Sequence, residues 1–219
     1  NVLMNGNRYD LIQKRFYRDI TVLGIGAVKT NFNTSQGATI EYVDPADLVY
    51  SYTESPYFDD IYYVGEVKTI PINELAKQFP HLEQSDLEEI ISSRSLYTNN
   101  SYKNASTYDE FDNNKVQVLY FNYKTYMNEV YKIKETNSGG NKAIEKDDAF
   151  NPPEGMEGDF SRLDRVIEVL FEGALVVGTN KLLQWEMAKN MMRPKSDYTK
   201  VKMNYSLVAP RMYKGNIDS

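Results

Sequence analysis

The chain has 219 residues, enough for one domain with a sizeable core. Its formal charge of -6 argues against a nucleic-acid-binding surface spread over the whole molecule. It has no cysteine and one histidine, His81, which together exclude disulfides, thiolate chemistry, cysteine-ligated zinc and multi-histidine metal sites.

No uninterrupted apolar run is long enough to span a bilayer, so no membrane partner is expected. The first residues are too short and uncharged for a signal peptide. Opening on Asn1 and stopping after Asp218 and Ser219, the chain reads as an excised piece of a longer protein. Its 18 tyrosines point to aromatic contact surfaces, because a phenol buries much area while keeping a polar end.

In chain order, Asn7 can cap a helix from Arg8 to Asp19, with Tyr9, Ile12, Phe16 and Ile20 at helical spacing. Thr21 to Phe32 reads as a strand, with Gly24 and Gly26 where a neighbouring backbone approaches closely. Turn chemistry at Asn33 to Gly37 and a strand from Ala38 to Val43 complete a hairpin, which Asp44 and Pro45 stop. Leu48 to Tyr52 and Ile61 to Ile70 are further strands. Asn73 is a candidate cap for a helix from Glu74 to Phe79, and Ser85 with Glu88 forms a capping-box pair for a second helix.

Residues 92–114 are polar and rich in Asn, Ser and Tyr, which predicts a long excursion. Lys115 to Lys124 and Met127 to Glu135 read as two strands joined at Thr125 and Tyr126. A second low-order excursion is expected over about 137–162, where Gly and Pro recur. Leu163 to Phe171, Ala174 to Val177, Lys181 to Met187 and Thr199 to Val208 are the remaining strands. The expected fold is α+β: antiparallel hairpins and small sheets, an N-terminal helix and two short mid-chain helices, in one domain over 1–219 with two excursions.

No motif carries catalysis. Gly24 to Lys29 lacks the third glycine of a dinucleotide loop and the Lys-Ser/Thr ending of a P-loop, so it reads as a glycine-containing strand. Glu41, Asp44, Asp47, Asp59 and Asp60 are dense, but lack the spacing of a calcium loop and read as turn residues, as do Asp147 and Asp148. His81 has no serine or cysteine poised beside it. Trp185 reads as a core or interface anchor. The basic cluster of Lys189, Arg193, Lys195, Lys200, Lys202, Arg211 and Lys214, interleaved with Tyr198, Tyr205 and Tyr213, reads as a solvated or subunit-facing surface. Sequons at Asn33, Asn99, Asn104 and Asn204 fit chance in an Asn-rich chain. The expectation is therefore no enzyme: no catalytic, metal or cofactor-binding residue, no cofactor, and no assigned nucleic-acid contact.

Five stretches, in this order, carry a resemblance. They are Arg18 to Gly26 with the hairpin after it; Ile40 to Pro45 ahead of Phe58 to Asp60; Gly65 to Lys68 leading into Pro71 to Pro80; Ile167 to Gly173 followed by Gly178 to Lys181; and Arg193 to Asn216. Together they resemble the portal proteins of tailed bacteriophages, most closely the short-tailed, crAss-like gut phages, over nearly the whole chain. The resemblance implies a structural protein of the virion: a head-tail connector assembled in the host cytoplasm as a twelve-subunit ring at one capsid vertex. Its implied partners are other copies of itself, the major capsid protein, the packaging terminase, tail proteins, and the DNA packaged and ejected through the channel. This chain would be an N-terminal wing region, giving subunit and capsid contacts and ending before the first stem helix, so direct DNA contact is not expected of it. The competing readings are a β-rich carbohydrate-binding or adhesin module, with an exposed aromatic platform, and a two-carboxylate hydrolase.

Overall fold

A computed structural model describes residues 8–33, 37–94, 115–135, 139–152, 154, 160–179, 181–213 and 216–217. The fold is α+β, as expected, with antiparallel sheets and an N-terminal helix.

Helix α1 (Tyr9–Leu23) starts one residue later and ends four residues later than its periodicity suggested. Thr21 and Val22 are β-branched, yet the Thr21 hydroxyl donates to the Tyr17 carbonyl one turn back, 2.8 Å away, and the helix runs on. Gly24, at φ 74, then ends it in the left-handed conformation that glycine adopts without strain. Arg8, not Asn7, occupies the cap position, and Asn7 lies outside the described residues.

β1 (Gly26–Asn33) and β2 (Gly37–Val43) form the expected hairpin, in register from Ala27 opposite Val43 to Asn33 opposite Gly37. Asp44 closes it by accepting a hydrogen bond from the Ala46 amide at 3.0 Å, with Pro45 starting a 3-10 turn. β9 (Tyr205–Val208) pairs with the other edge of β1. The expected strand from Thr199 is thus mostly outside the ladder, although Val201, Met203, Tyr205 and Leu207 still alternate inward.

The larger sheet runs β3 (Leu48–Tyr50), β4 (Tyr63–Pro71), β5 (Lys115–Glu135), β7 (Phe160–Val176), β8 (Leu182–Met187). Two expected breaks are absent. Thr125 and Tyr126 are good strand formers with no turn residue between them, so β5 is one strand of 21 residues. Gly173 does not end a strand either: it sits inside β7, whose 17 residues pair with β5 from Val118 opposite Val176 to Lys134 opposite Phe160. β6 (Asn141–Lys146) and the start of β7 also replace part of the low-order excursion assigned to 137–162. Beyond the ends of β4 and β8, the β5–β7 ladder continues as an arm that β6 joins at Val130. A short hairpin of β10 (Met212–Tyr213) and β11 (Asn216–Ile217) closes the described chain.

Helix α2 (Ile72–Gln78) begins directly after β4, and α3 (Gln84–Arg94) follows. Their caps differ from expectation. Pro71 occupies the α2 cap position, and Asp86 rather than Glu88 bonds back to a cap amide, that of Glu83 at 3.0 Å. Helix α3 extends past Ser92, and the rest of the excursion at 92–114 lies outside the described residues.

One face of the large sheet holds both cores. The small sheet covers Val64 and Leu170 with Ala27, Val43, Tyr205 and Leu207. Helices α2 and α3 cover Val116, Val118, Ala174 and Val176 with Leu75, Phe79 and Ile90. Between them lies a buried carboxylate, Glu66. The Lys29 and Lys68 ammonium groups bond it at 3.2 and 3.1 Å, and the Tyr205 hydroxyl donates to it at 3.1 Å. These bonds offset the cost of taking the carboxylate from water.

Candidate functional site: an aromatic face on the large sheet

The other face of the large sheet is apolar; Ile167 and Val169 are buried on it, and the part beside β4 and β8 is open. Register places Gly65, Phe121, Gly173 and Trp185 side by side across four strands. The adjacent row is Tyr63, Tyr123, Phe171 and Met187. Residues directly opposite on antiparallel strands share a face, so both rows present their side chains to the same side.

The two glycines shape this surface. A Cβ on Gly173 would lie 2.4 Å from the Phe121 Cζ, so the Phe121 ring rests where a side chain would otherwise stand. A Cβ on Gly65 would lie 2.6 Å from the Tyr120 carbonyl oxygen. With that room, Trp185 stacks on Phe171 at 5.1 Å and 14°, and meets Phe121 and Tyr123 at 5.8 and 6.0 Å. Tyr62 extends the cluster edge-on to Tyr123 at 6.1 Å. Trp185 stays 45% exposed, and Tyr62, Met187, Leu182 and Val49 are also exposed. Trp185 is therefore no core residue. The sequence signals for this face were its aromatic and glycine positions, but strand register was needed to bring them together.

The other candidates do not converge. Glu41 bonds Asn31 at 3.0 Å, and Asp60 accepts bonds from the Thr53 hydroxyl and, at 3.3 Å, from the Glu54 amide. The Asp59 carboxyl is held below the ordinary carboxylate range, first by a bond from Ser55. Asp147 contributes its carbonyl to a turn, bonded by the Phe150 amide at 2.9 Å. No group of three His, Asp or Glu residues able to hold a metal occurs among the described residues. His81 packs edge-on against Phe79 at 6.1 Å on the exposed rim. Gly26 meets side chains rather than a backbone: an added Cβ would lie 2.8 Å from the Phe16 ring.

The basic C-terminal cluster is partly structural. Arg193 donates to the Tyr198 and Lys200 carbonyls at 3.0 and 3.3 Å, and Tyr205 is buried. Lys214 lies outside the described residues, as does the Tyr213 side chain. Asn204 is buried and donates to Glu172 at 2.9 Å, which leaves its sequon inaccessible in the folded chain. An open depression of about 570 Å³ beside α1 is lined by Arg15, Arg18, Asp19 and Tyr42. The Tyr42 hydroxyl donates to Asp19 at 2.6 Å, and burial followed by that carboxylate pushes its phenol well above the usual range. No helix among the described residues is long and apolar enough to cross a membrane.

Comparison with protein-family models and with curated proteins found no match for the chain. The arrangement of the aromatic face suits docking: large rings held on a rigid sheet can be buried with little loss of side-chain freedom.

Proposed function

We propose that this chain is the N-terminal wing region of a phage portal protein, a structural part of a twelve-subunit ring through which DNA passes. The observation that carries the reading is the ordered run of portal-like stretches along the chain, from Arg18–Gly26 to Arg193–Asn216. The aromatic face supports it, because a wing works by contact and an exposed apolar patch marks a contact surface. In the virion its partners would be neighbouring subunits and the capsid protein, with terminase and tail proteins meeting other parts of the ring.

A second reading, a carbohydrate-binding module, draws on the same exposed Trp185. Phe171 stacks on one face of the indole only, so that contact does not decide against a sugar; the breadth of the exposed face, from Val49 to Leu182, favours docking of protein.

Negative-stain imaging of the intact gene product tests the reading. Twelvefold rings with a central hole are expected. Monomers or small globular particles at micromolar concentration, with glycan-array binding lost in Trp185→Ala, would replace it with the carbohydrate module.

A further inference from the structure

Charge divides between the two faces of the arm: Glu129 and Glu145 lie on one and a basic cluster on the other. At the arm, register puts Lys132, Lys134, Lys142, Lys146 and Arg162 on one face of β5, β6 and β7. Lys134 and Lys142 stand directly opposite each other, a like-charge pair that disfavours the ladder. Lys132 sits 3.6 Å from the Phe160 ring centroid. Arg162 alone of the five makes an ion pair among the described residues, with Asp164 at 2.9 Å. Asp164 shares the basic face, while Asp147 and Asp148 follow at the turn after β6.

At the other end, α2 and α3 carry Glu74, Glu83, Asp86, Glu88 and Glu89. Lys181 pairs with Asp86 and, at 3.0 Å, with Glu89. Glu83 and Glu88 are exposed and make no ion pair among the described residues. Of the helices' own residues, Lys77 lies in the last turn of α2 and Arg94 ends α3.

These patches cannot meet within one chain. The helices pack over Val116 and Val118, while Lys132 and Lys134 lie about fourteen residues further along the same strand, roughly 45 Å away. We propose that the basic arm of one copy docks on the acidic α2–α3 surface of the next. Such a contact joins two different surfaces, so it repeats head to tail and ends only when the chain of copies closes into a ring. It names surfaces for the ring reading but is tested apart from it.

The test uses the intact gene product and three variants, followed by analytical ultracentrifugation and imaging. K134E/K142E/K146E reverses the arm, E83K/E88K reverses the helix face, and the third variant combines both sets. All five positions are exposed, and a thermal melt checks each fold. Either single-patch reversal should lose the assembled species, and the combined variant should regain it. Wild-type assembly should also weaken between about 0.05 M and 0.5 M salt, because screening shortens from roughly 14 to 4 Å. Folded single-patch variants that assemble like wild type would overturn the contact while leaving rings, and the portal reading, in place. A combined variant that stays dissociated would overturn it too, as would a wild type monomeric at low salt. Patch-dependent filaments in place of rings would uphold the contact and sink the portal reading.

Discussion

Tyr205 shows how a single buried phenol ties stability to pH. It is 4% exposed, and burial, followed by the neighbouring Glu66 carboxylate, pushes its ionisation far above the ordinary tyrosine range. The unfolded chain ionises this phenol near pH 10. A pKa raised by folding means its contribution is complete below about pH 10 and is lost as pH climbs above it. Each such group steepens alkaline unfolding by about 1.4 kcal/mol per pH unit. Tyr205→Phe should therefore be less stable at pH 8, for want of the bond to Glu66, by about 1 kcal/mol. Its stability should nevertheless fall less steeply from pH 10 to 11, in urea melts at each pH. Parallel pH profiles for the two proteins would show that Tyr205 ionises freely in the fold. Tyr42, Tyr50 and Tyr120, also raised by burial, keep a residual slope in both.

At the scale of elements, glycine is where sequence and structure part company. Gly173 after Glu172 reads as punctuation, yet β7 runs through it because the missing Cβ is filled by the Phe121 ring from the strand beside it. Only long-range register reveals that use. By contrast, the β1–β2 hairpin was legible from alternation and turn residues, because its contacts are local. Both halves of β5 read as strand, and only the break between them fails, for a related reason: Thr125 and Tyr126 carry no turn chemistry, but nothing local announces a 21-residue strand either. The aromatic face was half legible. Trp185 and the tyrosines flagged a contact surface, but not which rings would adjoin. The glycine argument gives a measurable coupling. Gly173→Ala should cost about 1–3 kcal/mol through overpacking against Phe121. Shortening the ring with Phe121→Leu should recover part of that in the double variant, giving a non-additivity of at least about 0.5 kcal/mol. Additive losses would mean that the ring does not occupy the glycine's space.

For the whole molecule, the large sheet carries both cores on one face and an open aromatic patch beside β4 and β8 on the other, and the lone tryptophan stands in that patch. Trp185 is the only tryptophan in the chain, so its fluorescence reports that face alone. A residue that serves the fold and one that serves assembly respond differently to truncation. Trp185 lies outside both buried core clusters. Trp185→Ala should thus cost the isolated chain about 2–3 kcal/mol, the worth of the half of its ring that is covered, and less than truncating a fully buried tryptophan. In the intact gene product, loss of a half-exposed aromatic anchor at an interface should weaken association by about 2 kcal/mol or more per contact, some thirtyfold. The emission of a fluorophore attached at position 185 of the intact gene product through Trp185→Cys should also move to shorter wavelength as concentration drives assembly, because burial takes it out of water. A spectrum unchanged between dilute monomer and assembled particle would place the aromatic face on the outside of the assembly. The capsid shell, rather than a neighbouring subunit, would then be the partner to test against it.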